Sequence, residues 1–236
     1  VLTNFFEQSF NVAGPITTLV IPTKSLTAGT AAVSFIPVTA TGGTGVITFS
    51  ILPVLANGTL AFNVTTGAIT GTPASAAGVT DYAITATDAT LAASSKTFSL
   101  TVNPALTASL ALASTTLVTN TLATPFTPVT PVGGSGPFAY TVAALPAGLG
   151  ISSSTGQITG TPTTAAAATS YSVTITDSAG ATVSQAFDVT VNPPAPVINA
   201  PFTAAATVGT FFSYTISATN AASSYSAGTL PTNGLS

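Results

Sequence analysis

An all-β fold is what this sequence predicts: tandem β-sandwich domains, with a third repeat only partly present. Three observations carry the prediction. An octet recurs at a spacing of 89 residues, as Thr66-Gly67-Ala68-Ile69-Thr70-Gly71-Thr72-Pro73 and again as Thr155-Gly156-Gln157-Ile158-Thr159-Gly160-Thr161-Pro162. Short runs of apolar/polar alternation, bounded by glycine and proline turns, fill the sequence around it. No apolar pattern of helical period extends beyond a turn. A fixed period means that one structural unit has been repeated, so it decides the fold before any local feature does.

The octet reads as a tight β-corner. Gly67 and Gly156 sit where a hairpin turn wants positive φ, which glycine reaches without steric cost. Ile69 and Ile158 are the lone large apolar residues, so each is expected to plug a core. Gly71 and Gly160 break the short strand, and Pro73 and Pro162, lacking an N–H, end its ladder. The octet holds no nucleophile, acid, base or metal ligand. It is a folding signature.

Taken in order, residues 1–14 come first. Gln8-Ser9-Phe10-Asn11-Val12 resembles Gln185-Ala186-Phe187-Asp188-Val189 and Lys96-Thr97-Phe98-Ser99-Leu100. Those two stretches close their repeats, so the N-terminus has the pattern of a closing strand. Strand alternation puts Phe6, Phe10 and Val12 on one face.

The first repeat is expected over 15–103. Ala32–Val38 reads as a strand, with Pro37 at an edge or bulge. Gly42–Gly45 is a turn and Val46–Leu52 the next strand. Tyr82, Ile84 and Ala86 alternate with polar or small residues, as do Phe98, Leu100 and Val102 in the closing strand. The second repeat, 104–192, follows the same plan: a turn at Gly133–Gly136, alternation through Tyr171, Val173 and Ile175, a turn at Asp177–Gly180, and a closing strand with Phe187, Val189 and Val191. Asn103-Pro104 and Asn192-Pro193-Pro194 form the joints, which the prolines stiffen. Residues 193–236 hold half of a third repeat. There Phe212, Tyr214 and Ile216 alternate as a strand, and Leu230-Pro231-Thr232-Asn233-Gly234-Leu235 matches Leu145-Pro146-Ala147-Gly148-Leu149 with one extra residue. The octet and closing strands do not follow.

Units of about 90 residues with short strands and glycine turns indicate immunoglobulin-like sandwiches. Leu-Pro-Ala-Gly-Leu, the octet, Tyr171-Ser172-Val173-Thr174-Ile175-Thr176-Asp177-Ser178-Ala179-Gly180 and Phe187-Asp188-Val189-Thr190-Val191 together resemble the Ig-like, cadherin-like repeats of prokaryotic secreted and surface proteins. The resemblance covers 15–192, and 193–236 as a half-repeat. It implies stalks, adhesins, surface-layer pieces or enzyme appendages. The first repeat departs from the pattern at residues 52–58, which form a longer loop than their counterpart.

Composition narrows the function. The chain has 236 residues, of which 3% are charged, and a net charge of −3. A soluble domain ordinarily carries about 25% charged residues, so threonine, serine, asparagine and small apolar groups must make the surface. There is no basic footprint for nucleic acid. Mean hydropathy is +0.63, yet threonine, glycine and proline interrupt every apolar run before the roughly 20 residues of a membrane span. Cysteine, methionine, tryptophan and histidine are all absent, which removes the most oxidisable side chains. The chain starts at Val1 without a signal-peptide pattern, as expected of a processed product or a part of something longer.

The acids are Glu7, Asp81, Asp88, Asp177 and Asp188. Asp88 and Asp177 share one repeat position and read as turn aspartates that accept backbone N–H bonds. A calcium site needs six to eight oxygens, and no Asp-x-Asp or Asp-x-Glu cluster supplies them. Without histidine or cysteine there is neither a histidine-dependent triad nor a zinc site, and Lys24 and Lys96 read as lone solvated lysines rather than members of a Ser–Lys dyad. The glycine turns carry no following lysine, unlike phosphate loops. Asn57-Gly58-Thr59 and Asn63-Val64-Thr65 are sequons, so Asn57 and Asn63 are candidate glycosylation residues on the surface.

The expectation is a non-enzymatic, cofactor-free structural subunit of an extracellular filament or cell-surface array. Its partners are copies of itself, head to tail, with cell-surface or glycan contacts besides. A donor strand carrying Phe6, Phe10 and Val12 is expected to enter an acceptor face of Phe212, Tyr214 and Ile216 in the next subunit. The alternatives are an adhesive module on a stalk of repeats, or a non-catalytic appendage of a secreted enzyme.

Overall fold

The computed structural model describes residues 14, 16–199, 203–220, 224 and 226. Among the described residues all regular structure is strand. The first unit contains β1 (Thr17–Val20), β2 (Thr23–Thr27), β3 (Ala32–Phe35), β4 (Val38–Thr41), β5 (Thr48–Leu52), β6 (Ala61–Phe62), β7 (Ile69–Gly71), β8 (Ala77–Thr87) and β9 (Ala93–Asn103). The second contains β10 (Thr107–Leu110), β11 (Ser114–Val118), β12 (Val129–Val132), β13 (Ala139–Val142), β14 (Leu149–Ile151), β15 (Ile158–Gly160), β16 (Ala166–Thr176) and β17 (Thr182–Asn192). Two short strands follow, β18 (Val197–Ile198) and β19 (Ala218–Thr219).

Each unit is built on a four-stranded sheet, in the order β2-β9-β8-β5 in the first and β11-β17-β16-β13 in the second. The long hairpin at its centre is antiparallel, while β2 on β9 and β11 on β17 run parallel. Smaller ladders form the opposite layer: β1-β4 and β3-β7-β6 in the first unit, β10-β12 and β14-β15 in the second. Alternation decides what lies between the layers. Tyr82, Ile84, Phe98, Leu100 and Val102 turn inward from β8 and β9 and meet Leu26, Val38 and Ile69. Val173, Ile175, Phe187, Val189 and Val191 do the same in the second unit, against Val129, Tyr140 and Ile158. Ile69 and Ile158 are fully buried, and burying each such side chain stabilises its unit by about 1.5–3 kcal/mol.

The octet works as its residues suggest. Gly67 and Gly156 adopt φ of +72° and +70°. Gly71 and Gly160 close their strands at φ of +108° and +125°. A Cβ on Gly71 would lie 2.1 Å from the Thr59 carbonyl oxygen, and one on Gly160 2.1 Å from that of Gly148. Only glycine lets these two chain segments approach so closely.

Two expectations are corrected. Ala32–Val38 is not one strand: β3 pairs with β7, whereas β4 pairs with β1. Pro37, with no N–H to continue a ladder, divides them, and its carbonyl accepts the N–H of Ile21. Phe212, Tyr214 and Ile216 do not form a strand either. Residues 211–217 are not in a strand; among the described residues the third segment's ladder joins Val197–Ile198 to Ala218–Thr219, and the Asn199 N–H bonds the Ser217 carbonyl beside it. Alternation supplies a strand's face but does not by itself place the backbone in a ladder.

Candidate functional site

The candidate site lies at the joint between the first two units and is centred on Asp177. Asp177 follows β16, at the turn into β17, as Asp88 follows β8 at the turn into β9. Each carboxylate gathers three backbone N–H groups. Asp88 accepts from Thr44, Thr90 and Ala92 at 2.8, 2.8 and 3.0 Å. Asp177 accepts from Ser135, Ala179 and Ala181 at 2.9, 2.9 and 2.8 Å. Thr44 and Ser135 come from the glycine turns, so each aspartate ties two loops together at one pole of its sandwich.

The fourth bond differs between them. Asp88 takes the hydroxyl of Thr90, two residues away, at 2.8 Å. Position 179 is alanine, and Asp177 instead takes the hydroxyl of Thr27, at the end of β2 in the preceding unit, at 2.5 Å. Ser135 joins the same cluster: its Oγ lies 2.9 Å from Thr27 Oγ1, 3.1 Å from the Leu26 carbonyl oxygen and 2.9 Å from the Asn103 amide nitrogen. The carboxylate is the strongest acceptor and claims the Thr27 proton. Ser135 then accepts from Asn103 and gives its own proton to Leu26. Thr27 and Ser135 are each 1% exposed, so water does not compete for these bonds.

The bonding sets the ionisation. The Thr44 N–H, helped by the Thr90 hydroxyl and two further N–H groups, holds Asp88 below the usual aspartate range against a smaller effect of burial. Burial pushes Asp177 up, but the Thr27 hydroxyl and the N–H groups of Ser135, Ala181 and Ala179 outweigh it and leave that carboxyl lowered too. Both are satisfied anions. Among the described residues no group of three or more Asp or Glu side chains converges as a metal site.

The second joint is built differently. Val118 pairs with Asn192 as Thr27 pairs with Asn103. Valine therefore stands where the first joint has its bridging hydroxyl. Sequence reasoning found Asp177 as a turn residue but missed Thr27 and Ser135 as its partners. The available signal was the Thr27/Val118 difference between otherwise matching strands.

The remaining candidates are dispersed. Phe6, Phe10 and Val12 lie outside the described residues. Phe212 is half-buried, and Tyr214 and Ile216 are exposed, beside Phe211, which is almost wholly in solvent. Ile216 stands four residues before Asn220, a positive-φ residue, as Val38 and Val129 stand before Gly42 and Gly133. Those two valines are 0% and 1% exposed, whereas Ile216 is 45% exposed. Asn57 and Asn63 lie on the first unit. A groove of about 400 Å³ beside them is lined by Ile51, Val54, Leu55, Phe62 and Val64 among others, with no titratable group.

The family model described as Putative Ig domain matches residues 14–103 and again 106–192. No curated protein matches the chain. Similar solved structures include mouse cadherin-23 EC22–24, at 15% identity over 76% of this chain and 65% of that one, with a TM-score of 0.32. Sidekick-1 immunoglobulin domains 1–4 give 13% identity over 78% and 50%, with a TM-score of 0.39. Titin domains I67–I69, in an E-to-A mutated variant, give 13% identity over 78% and 67%, with a TM-score of 0.36. The chain spans between 41% and 65% of the length of the first three such structures. These likenesses concern the fold alone.

Proposed function

Since this chain belongs to the Putative Ig domain family, matched twice along its length, we propose that it is a structural subunit of an extracellular filament or cell-surface array. Neighbouring subunits join by β-strand complementation. Residues 3–13 of one copy, with Phe6, Phe10 and Val12, insert beside residues 205–218 of the next. The contact is heterologous, so it propagates a filament rather than closing a dimer.

Ile216 carries this reading. Its counterparts Val38 and Val129 are buried within their sandwiches, while Ile216 is exposed beside Tyr214 and Phe211. Apolar strand-like surface of this kind is a template for a further strand. The lack of readily oxidised side chains suits an extracellular setting.

Deleting residues 1–13 tests the proposal. The full chain polymerises by electron microscopy, the deletion variant stays dispersed, and a synthetic 1–13 peptide binds the variant. Normal polymers from the variant would refute strand donation. The Thr27–Asp177 bond favours a second reading, a stiff stalk within a larger surface protein. On that reading neither chain polymerises.

A further inference from the structure

We propose that Asn63 is a carbohydrate-attachment residue of this chain, the acceptor for an N-linked glycan, and that Asn57 in the neighbouring sequon is not modified. The two motifs look equivalent in sequence, but their side chains are committed differently.

Asn57 is half-buried and both ends of its amide are engaged. Nδ2 donates to the Ser75 carbonyl oxygen at 2.8 Å, and Oδ1 accepts the N–H groups of Ala74 and Ser75 at 2.9 and 3.1 Å. These bonds fasten the long 52–58 loop to the segment following the octet. The sequon hydroxyl is engaged as well, since Thr59 Oγ1 accepts the Thr72 N–H at 2.9 Å. A sugar on Asn57 Nδ2 would crowd the contact with Ser75 at a half-buried side chain that anchors the loop.

Asn63 is exposed. Its Oδ1 accepts the N–H groups of Thr65 and Thr66 at 2.9 and 3.0 Å. Two N–H donors require an oxygen there, so the amide orientation is fixed by chemistry. With Oδ1 held against the backbone, Nδ2 is turned away from it, and Nδ2 makes no hydrogen bond among the described residues. The Thr65 hydroxyl likewise has no partner among them. Backbone bonds from Asn63 N–H to Ala68 and from Gly67 N–H to Asn63 hold the turn in place, so the acceptor is presented by a folded hairpin. Val64 beside it is exposed, and on a surface with so little charge a glycan supplies hydration.

The transfer is a substitution at a sugar's anomeric carbon. A bond forms between Asn63 Nδ2 and C1 of a phosphate-activated glycosyl donor. The bond from C1 to the phosphate oxygen breaks, the phosphate leaves with the electron pair, and one amide proton passes to a base of the transferase. No oxidant or reductant is needed.

Peptide mass spectrometry of the chain from its own host tests the assignment. Cleavage after Leu60 and Phe62 separates the two asparagines. The peptide with Asn63 should carry a series of sugar masses, and the one with Asn57 its unmodified mass. The Thr65→Ala chain, made in the same host, should lose the sugars and keep its melting temperature, because that hydroxyl bonds nothing in the fold. Unmodified Asn63 throughout the native material, or sugar on Asn57, would overturn the proposal.

Discussion

Thr27 donates its hydroxyl proton to Asp177 from 150 positions away in sequence, at 2.5 Å, and both residues are buried between two sandwiches. The bond runs from the last residue of β2 in one unit to the turn between β16 and β17 in the next. It makes a turn aspartate, otherwise a local loop fastener, one of the ties between domains, beside the bonds of Ser135 to Leu26 and Asn103.

Replacing Thr27 with valine, the residue found at the matching position 118, removes that tie. Asp177 keeps its three N–H donors but loses its inter-unit proton, and Ser135 loses a neighbour. Removing one partner of a buried bond to a charged group costs about 1–3 kcal/mol. Denaturant unfolding should show that loss, and residual dipolar couplings should show the two units reorienting. An unchanged midpoint with unchanged couplings would mean that the joint is held by something else.

Acid and alkali should act at opposite ends of a flat range. The carboxyls of Asp88 and Asp177 are lowered in the folded chain. Their contribution is therefore complete above the unfolded aspartate value of about 3.9 and is lost as pH falls through the folded values. Burial raises the Tyr140 phenol, so its contribution is complete below the unfolded value of about 10 and is lost as pH rises through the folded one. With no histidine and few charges between, the melting temperature should stay within roughly 10 °C from about pH 5 to 9 and fall outside that range. A steep change inside it would contradict the assignment.

The octet's second glycine has no room for a side chain. Gly160→Ala puts a methyl group 2.1 Å from the Gly148 oxygen at a φ of +125°. Gly180→Ala also meets a positive φ, +91°, but nothing within 4 Å. The second change should cost about 1–2 kcal/mol, the ordinary penalty for a left-handed residue. The first should cost clearly more, as read from the denaturant midpoints of the two variants. Equal losses would show that the close approach adds nothing beyond φ.

Much of this architecture was legible because it depends on local pattern. Period-two alternation names Phe98, Leu100 and Val102 as core whatever faces them, and the octet's glycines announce their own backbone geometry. What was not legible depends on partners. Ala32–Val38 reads as one strand until Pro37 is seen dividing it between two ladders. Phe212, Tyr214 and Ile216 alternate well, yet alternation alone does not place them in a strand. Thr27 is one hydroxyl in a threonine-rich chain, and only the fold brings it to Asp177. Asn57 and Asn63 carry the same motif, and only hydrogen bonds distinguish them.

The most direct test of the proposed strand complementation is amide hydrogen exchange over residues 205–218, in the chain lacking residues 1–13, with and without the synthetic 1–13 peptide. An inserted strand adds ladder hydrogen bonds to these backbone groups, so the account predicts that their exchange slows on peptide binding while β8, β9, β16 and β17 are unchanged. Exchange over 205–218 that stays equally fast with the peptide present at saturation would contradict strand complementation.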